Sequence, residues 1–379
     1  MTNAVVTALR EIANRDLYQR NAFHVTNLNT SVDRRTTRRR QQHVIAVLEA
    51  GADLETTGST DPDELRLAFD RLLGDPRRRL VDEVFGEWGR PDGECGCDTP
   101  VHQAHDEAVY AHASAIELLI TAPPPPTSPQ PPVRASWERA AERWTAALQD
   151  PQFWQHLRNR VLALDDWQLA ASAVDQIRSE LPRALTGPLL DLAASGDYTD
   201  RTARMLQQWQ IPGTQTEQWV LDTLRPQYER TEDAVVQLLR RQQNSPDEVD
   251  GVIAELERSV LPSYRRLQVL LPSVAFQRTL TLRDDIALVY HNGAVEIVNH
   301  IGTDPRVGPW LRQAEGYAAG AEMQAKLAET AQVYTLMDLA KDRPAAQQKA
   351  NADAEGCGCL IFGLVILAVV IYVLIKVLS

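Results

Sequence analysis

Asp61-Pro-Asp-Glu-Leu-Arg-Leu-Ala-Phe-Asp-Arg-Leu-Leu-Gly-Asp-Pro-Arg-Arg-Arg-Leu-Val-Asp82 carries two helices together with their start signals. Apolar residues recur here at spacings of three and four, the period of one helix face. Asp61 and Asp75 each stand directly before a proline. An Asp at the N-cap accepts an amide proton of the first turn, and proline suits the first helical position, where its missing N–H costs nothing. The stretch therefore predicts helices over 63–73 and 76–88.

The same spacing runs outward through 4–16 and through 33–49, the latter opened by Asp33. Thr99-Pro100 predicts a helix running to about 121. Downstream, helices are predicted at 136–149, 151–164, 166–180, 186–195, 199–209, 215–243, 246–270, 281–301 and 306–340. Strand-like alternation of Val, Ile and Thr is nearly absent, so the predicted fold class is all-α. Trp144, Trp154, Trp167, Trp209 and Trp219 fall at helical spacing and read as core wedges between helices.

Composition agrees. Across 379 residues, 44% are hydrophobic and 24% charged, which excludes global disorder. Aromatics at 6% with only 19 glycines argue against a large β-sandwich, and four cysteines cannot make a disulfide scaffold. The net charge of -12 disfavours nucleic acid as a partner. Of 39 basic residues only Lys326, Lys341, Lys349 and Lys376 are lysines, a bias that points to a GC-rich bacterial genome.

Ala122-Pro-Pro-Pro-Pro-Thr-Ser-Pro-Gln-Pro-Pro132 reads as a semi-rigid polyproline spacer. It divides the chain into a helical module at 1–90, a Cys/His segment with a helix at 91–121, a linker at 122–135 and a helical-hairpin domain at 136–340. A polar tether at 341–356 then leads to a segment at 357–378. There, Leu360 to Ile375 is uncharged, and with Cys357, Gly358 and Cys359 the run reaches nineteen residues. At about 1.5 Å per residue a helix of that length reaches about 28 Å, near the ~30 Å hydrocarbon core of a bilayer. Lys376 stands where a lysine can snorkel to the interface. The expectation is a single C-terminal transmembrane anchor. Met1 to Arg20 mixes acidic and basic residues without an apolar core, so the bulk of the chain is expected on the cytoplasmic side of the inner membrane.

Asn21-Ala-Phe-His-Val-Thr-Asn-Leu-Asn-Thr-Ser-Val-Asp33 resembles the opening of a J-domain, with Phe23 and Leu28 ahead of a capped basic helix. Leu73, Asp75, Pro76 and Arg79 resemble the Leu-x-Asp-Pro turn that closes that family's fold. The likeness covers residues 17–88. It lacks the His-Pro-Asp turn that activates the partner chaperone: Ala50 to Asp61 stands there instead. The resemblance therefore implies a degenerate J-like module used for binding. Asp285 to Asn299, with Gly293 and Ala294 where helices could approach, and Ala321 to Tyr334 are weakly similar to tetratricopeptide-type hairpins.

One cluster could carry metal chemistry: Cys95-Gly-Cys97-Asp-Thr-Pro-Val-His102-Gln-Ala-His105-Asp106. Thiolate and imidazole together suit zinc, and Cys95, Cys97, His102 and His105 would make a closed four-ligand site. Two other readings stand beside it. His105 and His112 could be core histidines beside inert thiols. Alternatively, Cys95 and Cys97 could be a redox pair, though one intervening glycine makes a strained ring. Arg34, Arg35, Arg38, Arg39 and Arg40 form either a solvated face or a site for an anionic partner. No Gly-rich phosphate loop, nucleophile elbow or His-Glu-x-x-His is present, so no catalytic residue is assigned. The function expected is a tail-anchored adaptor that recruits a cytosolic protein through helical modules. The alternatives are a metal-dependent enzyme or regulator built on the Cys/His site, and a membrane co-chaperone.

Overall fold

The structure, a computed structural model, describes residues 4–51, 58–91, 95–121, 131–170, 172–196, 199–302 and 304–341. Every regular element among them is helical: α1 (Ala4–Ile12), α2 (Ala22–Thr26), α3 (Arg34–Glu49), α4 (Pro62–Gly74), α5 (Pro76–Phe85), α6 (Thr99–Thr121), α7 (Pro131–Gln149), α8 (Pro151–Leu164), α9 (Ala173–Ser195), α10 (Thr199–Gln208), α11 (Thr216–Asn244), α12 (Val249–Glu255), α13 (Leu261–Leu270), α14 (Gln277–Ile301), α15 (Val307–Tyr317) and α16 (Ala321–Lys341). A π-helical turn at Leu256–Val260 joins α12 to α13. The chain is all-α, as its periodicity requires.

The Asp-Pro joints work as the sequence predicts. The Asp61 carboxylate accepts from the Asp63 amide at 2.9 Å, and Asp75 from the amides of Arg77 and Arg78 at 3.0 and 3.2 Å. Asp33 caps α3 through the Thr36 amide, and Asp150, before Pro151, caps α8 in the same way. Such a cap contributes about 1 kcal/mol.

Several predicted boundaries differ. The segment 173–195 is one helix through Pro182 and Pro188, where two were predicted. Both prolines are buried among Leu181, Leu185 and Leu189, so packing outweighs the lost backbone bonds. The Pro182 carbonyl, meanwhile, accepts from the Thr186 hydroxyl at 2.8 Å. Conversely, the single helix predicted over 306–340 is two. The Asp284 carboxylate accepts from the backbone amides of Ala319 and Gly320, and these bonds fix the break between α15 and α16. Trp167, expected in the core, is 91% exposed, whereas Trp144, Trp154, Trp209 and Trp219 are buried.

The contacts divide the chain into two units. The first comprises residues 1–231 and 262–279. Its α2–α4 cluster buries Ala22, Phe23, Val25, Val44, Leu65, Ala68, Phe69 and Leu72, with Leu28 packed against them. At Gly187 an added Cβ would stand 2.4 Å from the Ala13 carbonyl oxygen, so only glycine permits the close approach of α9 to the chain leaving α1. The helices before and after the proline-rich stretch, α6 and α7, pack along each other within this unit. Residues 122–130 of the expected linker lie outside the described residues, but Pro131 and Pro132 already belong to the first turn of α7. Proline is tolerated there because first-turn amides have no helical partner.

The second unit comprises residues 232–261 and 280 onward. In it Gly293 of α14 lies against Ile253 of α12, and the Gln242 amide donates to the Val289 carbonyl at 2.9 Å. Met323 and Leu327 of α16 are buried, while Val333, Leu336 and Met337 in its last turns are exposed. No helix among the described residues is long and apolar enough to cross a membrane. The uncharged run at 357–375, and with it the expected anchor at 357–378, lies outside the described residues.

Candidate metal centre

The site is assembled in the first unit by three local devices. Thr99-Pro100 opens α6 and projects His102 from its first turn, beside Val101 on the buried face. The loop before it carries Cys95 and Cys97 around Gly96, whose φ of +65° is a left-handed value that glycine adopts without strain. Asp150-Pro151 starts α8, whose buried face presents Phe153, Trp154, His156, Leu157 and Arg160.

These elements bring Cys95, Cys97, His102 and His156 together, with one donor atom from each lying within 4.8 Å of all the others. Cys95 Sγ stands 3.4 Å from His102 Nε2, and Cys97 Sγ stands 3.4 Å from His156 Nδ1. A tetrahedral ion with bonds of about 2.3 Å to sulfur and about 2.0 Å to nitrogen separates S from N by about 3.5 Å. Both sulfur–nitrogen distances match that spacing. Cys95, His102 and His156 are each 3% exposed, whereas Cys97 is only partly buried.

A hydrogen bond orients the His102 ring, and a nearby carboxylate faces the His156 ring. His102 Nδ1 lies 3.0 Å from the Gly89 carbonyl oxygen, which can only accept. Nδ1 therefore carries the proton, and the Nε2 lone pair faces the sulfurs. His156 points Nδ1 at Cys97, and its Nε2 lies 3.6 Å from Glu83 Oε1. Glu83 is fully buried and accepts from Arg160 Nε at 2.5 Å, while Arg160 also donates to the Thr30 carbonyl. A carboxylate behind a ligand histidine holds the ring and raises its basicity. Asn159, on the same helix, donates to the Cys95 carbonyl. His156, Asn159 and Arg160 thus address the metal position, its loop and its supporting carboxylate from one face of α8.

His105 does not join this group. Its Nε2 donates to the Val84 carbonyl at 2.9 Å, its Nδ1 lies 3.1 Å from Asp106 Oδ1, and its ring stacks on Trp88 at 3.8 Å. Both nitrogens are engaged, and His156 stands with Cys95, Cys97 and His102 in the place that the sequence assigned to His105. On the opposite face of Trp88 the His156 ring stacks at 3.7 Å, so the indole is sandwiched between His156 and His105. Asp106 fastens the adjoining turn by accepting from the amides of Trp88 and Gly89. His112 is a core residue, as the second reading of the sequence had it. Its Nδ1 lies 2.8 Å from the Tyr18 hydroxyl, its ring stacks on Trp209, and burial pushes its pKa down to about 3.

Electrostatics prepare the ligands unequally. Burial lowers the pKa of His156, with Glu83 opposing, which favours the neutral ring that binds metal. Burial first, and the neighbouring Cys95 second, push the Cys97 thiol up to about 12. Metal binding would therefore have to displace a firmly held thiol proton.

The Arg-rich segment lies elsewhere. Arg34, Arg35, Arg38 and Arg39 are exposed on α3, Arg40 is half-buried, and Arg34 donates to the Leu73 carbonyl at 2.7 Å. The inner side of α3 buries Thr37 and Val44. No family model matches the chain, and neither does any curated protein or solved structure.

Proposed function

We propose that this chain is a zinc-stapled helical scaffold, tethered to a membrane by its C-terminal uncharged segment, that recruits a protein partner. The observation that carries the reading is the convergence of two sulfurs and two imidazole nitrogens from segments more than fifty residues apart in sequence. Four protein ligands, three of them buried, leave no open coordination position. That is the pattern of structural rather than catalytic zinc. Cys95, Cys97, His102 and His156 would hold the ion, which would supply a cross-link between α8 and the loop ahead of α6. The absence of a catalytic motif in the sequence favours the scaffold over the enzyme.

The membrane part of the reading rests on sequence: nineteen uncharged residues at 357–375, with Lys376 following. An anchor confines the helical units to a surface and raises their effective concentration toward anything else held there. Under this reading the J-like stretch is a binding module and not a chaperone activator, since it has no His-Pro-Asp turn. Two measurements on the full chain test the proposal. Metal analysis after purification in mild detergent should give one zinc per chain, lost in the Cys95→Ser variant. Washing membranes with alkaline carbonate should leave the chain in the pellet, and removing residues 357–379 should release it. Hydrolysis that depends on Cys95, Cys97, His102 or His156, or full extraction by carbonate, would contradict the scaffold and the tether respectively.

A further inference from the structure

We infer that Cys97 is an oxidation site, where a peroxide-class oxidant converts the Cys95-Gly96-Cys97 ligand pair to a disulfide and expels the metal. The inference rests on the zinc reading and adds a control to it. Three observations point to it. Among the four ligands only Cys97 is partly exposed, so an oxidant arriving from solvent meets its sulfur first. The second sulfur lies within 4.8 Å of it. Between the two cysteines stands one residue, Gly96, already at φ +65°, the backbone freedom a small ring needs.

The chemistry balances in two steps. The metal-bound Cys97 thiolate attacks one peroxide oxygen, breaking the O–O bond to give a sulfenic acid and hydroxide. The Cys95 thiolate then attacks the Cys97 sulfur and displaces a second hydroxide as the S–S bond forms. Two thiolates lose two electrons, peroxide gains them, and two protons from the buffer convert the two hydroxides to water. Only His102 and His156 remain as ligands, and two imidazoles do not retain zinc in a site shaped for four donors. The ring closed across one glycine is strained, and strained disulfides are easily reduced, so a dithiol resets the site. Release of the ion removes the metal link between His156 of α8 and the 95–102 segment. Trp88, stacked on His156, lies where its fluorescence reports the event.

The test uses the full chain in mild detergent, with zinc content measured first. Hydrogen peroxide is then added in sub-stoichiometric steps while freed zinc is followed with a metallochromic indicator. The expected result is one zinc released per peroxide and loss of two hydrogens in the peptide carrying residues 95–97. That peptide is distinct from the one carrying Cys357 and Cys359. Dithiothreitol with added zinc should restore loading, and iodoacetamide added to the zinc-loaded chain should modify the more exposed Cys97 faster than Cys95. Zinc retained under peroxide, or sulfinic acid at Cys97 in place of the disulfide, would overturn the switch while leaving the zinc centre standing. A chain that binds no zinc would overturn both.

Discussion

The α2–α4 cluster and the metal centre lie in the same unit and are built on opposite principles. The cluster is aliphatic and aromatic throughout, from Phe23 and Val25 to Leu65, Phe69 and Leu72, and its stability comes from removing apolar surface from water. Around the candidate metal centre the buried groups include imidazoles, the Cys95 thiol, an indole, and Glu83 with Arg160. Burying such groups is costly unless each finds a partner. The first region tolerates a change that keeps volume and apolarity. The second depends on its polar partners being in place and, under the proposed zinc reading, on the ion for the four that face one another.

The two regions should respond differently to metal. Removing zinc with a chelator should cost roughly 4 kcal/mol at free metal ~1,000-fold above Kd. That corresponds to a fall in Tm of about 10 °C for a unit of this size, read by differential scanning calorimetry. Phe69→Ala should cost about 3–4 kcal/mol by opening a cavity, by the same amount with and without chelator. If chelation abolishes that cost, the two regions are not independent. Glu83→Gln keeps the size of the group that backs His156 but removes its charge. It should weaken zinc binding about 10–100-fold, measured by competition with a fluorescent chelator, and Phe69→Ala should leave that affinity unchanged.

A pH measurement sharpens the contrast. Burial raises the Asp82 carboxyl to about 7, against the attraction of Arg78 and Arg71. A carboxyl whose folded pKa exceeds its unfolded value binds more protons folded than unfolded. Its contribution is therefore present at low pH and lost as pH rises through about 4 to 7. In the chelated protein, stability should fall across that window, and Asp82→Asn should flatten the slope. Zinc affinity should move the other way, rising with pH as the Cys97 proton is displaced more easily. Asp75→Ala is the smallest change, about 1 kcal/mol for one N-cap, and should be indifferent to metal.

The difference also explains what the sequence could disclose. A helix period and an Asp-Pro cap are local signals, and 61–82 announced both α4 and α5. Cys95, Cys97 and His102 were legible for the same reason, being within eight residues of one another. His156 was not, because its selection depends on α8 packing beside the loop at 95–97. Its one local trace is a histidine between Phe153 and Leu157 on a buried face, four residues before Arg160. His105 looked equivalent to His102 by spacing, and only the Val84 carbonyl and Asp106 decide against it. The proline-rich stretch read as a boundary, yet the helices it joins pack together, because proline content says nothing of whether α6 and α7 have complementary faces. The break between α15 and α16 was hidden because the carboxylate that fixes it, Asp284, belongs to α14.

X-ray absorption at the zinc edge of the purified full-length chain tests the central claim most directly. The account predicts one zinc per chain with two sulfur neighbours at about 2.3 Å and two nitrogen neighbours at about 2.0 Å, the nitrogen shell reduced in His156→Ala and unchanged in His105→Gln. A chain without zinc, a shell of oxygen and nitrogen alone, or a nitrogen shell that depends on His105 and not His156 would contradict it.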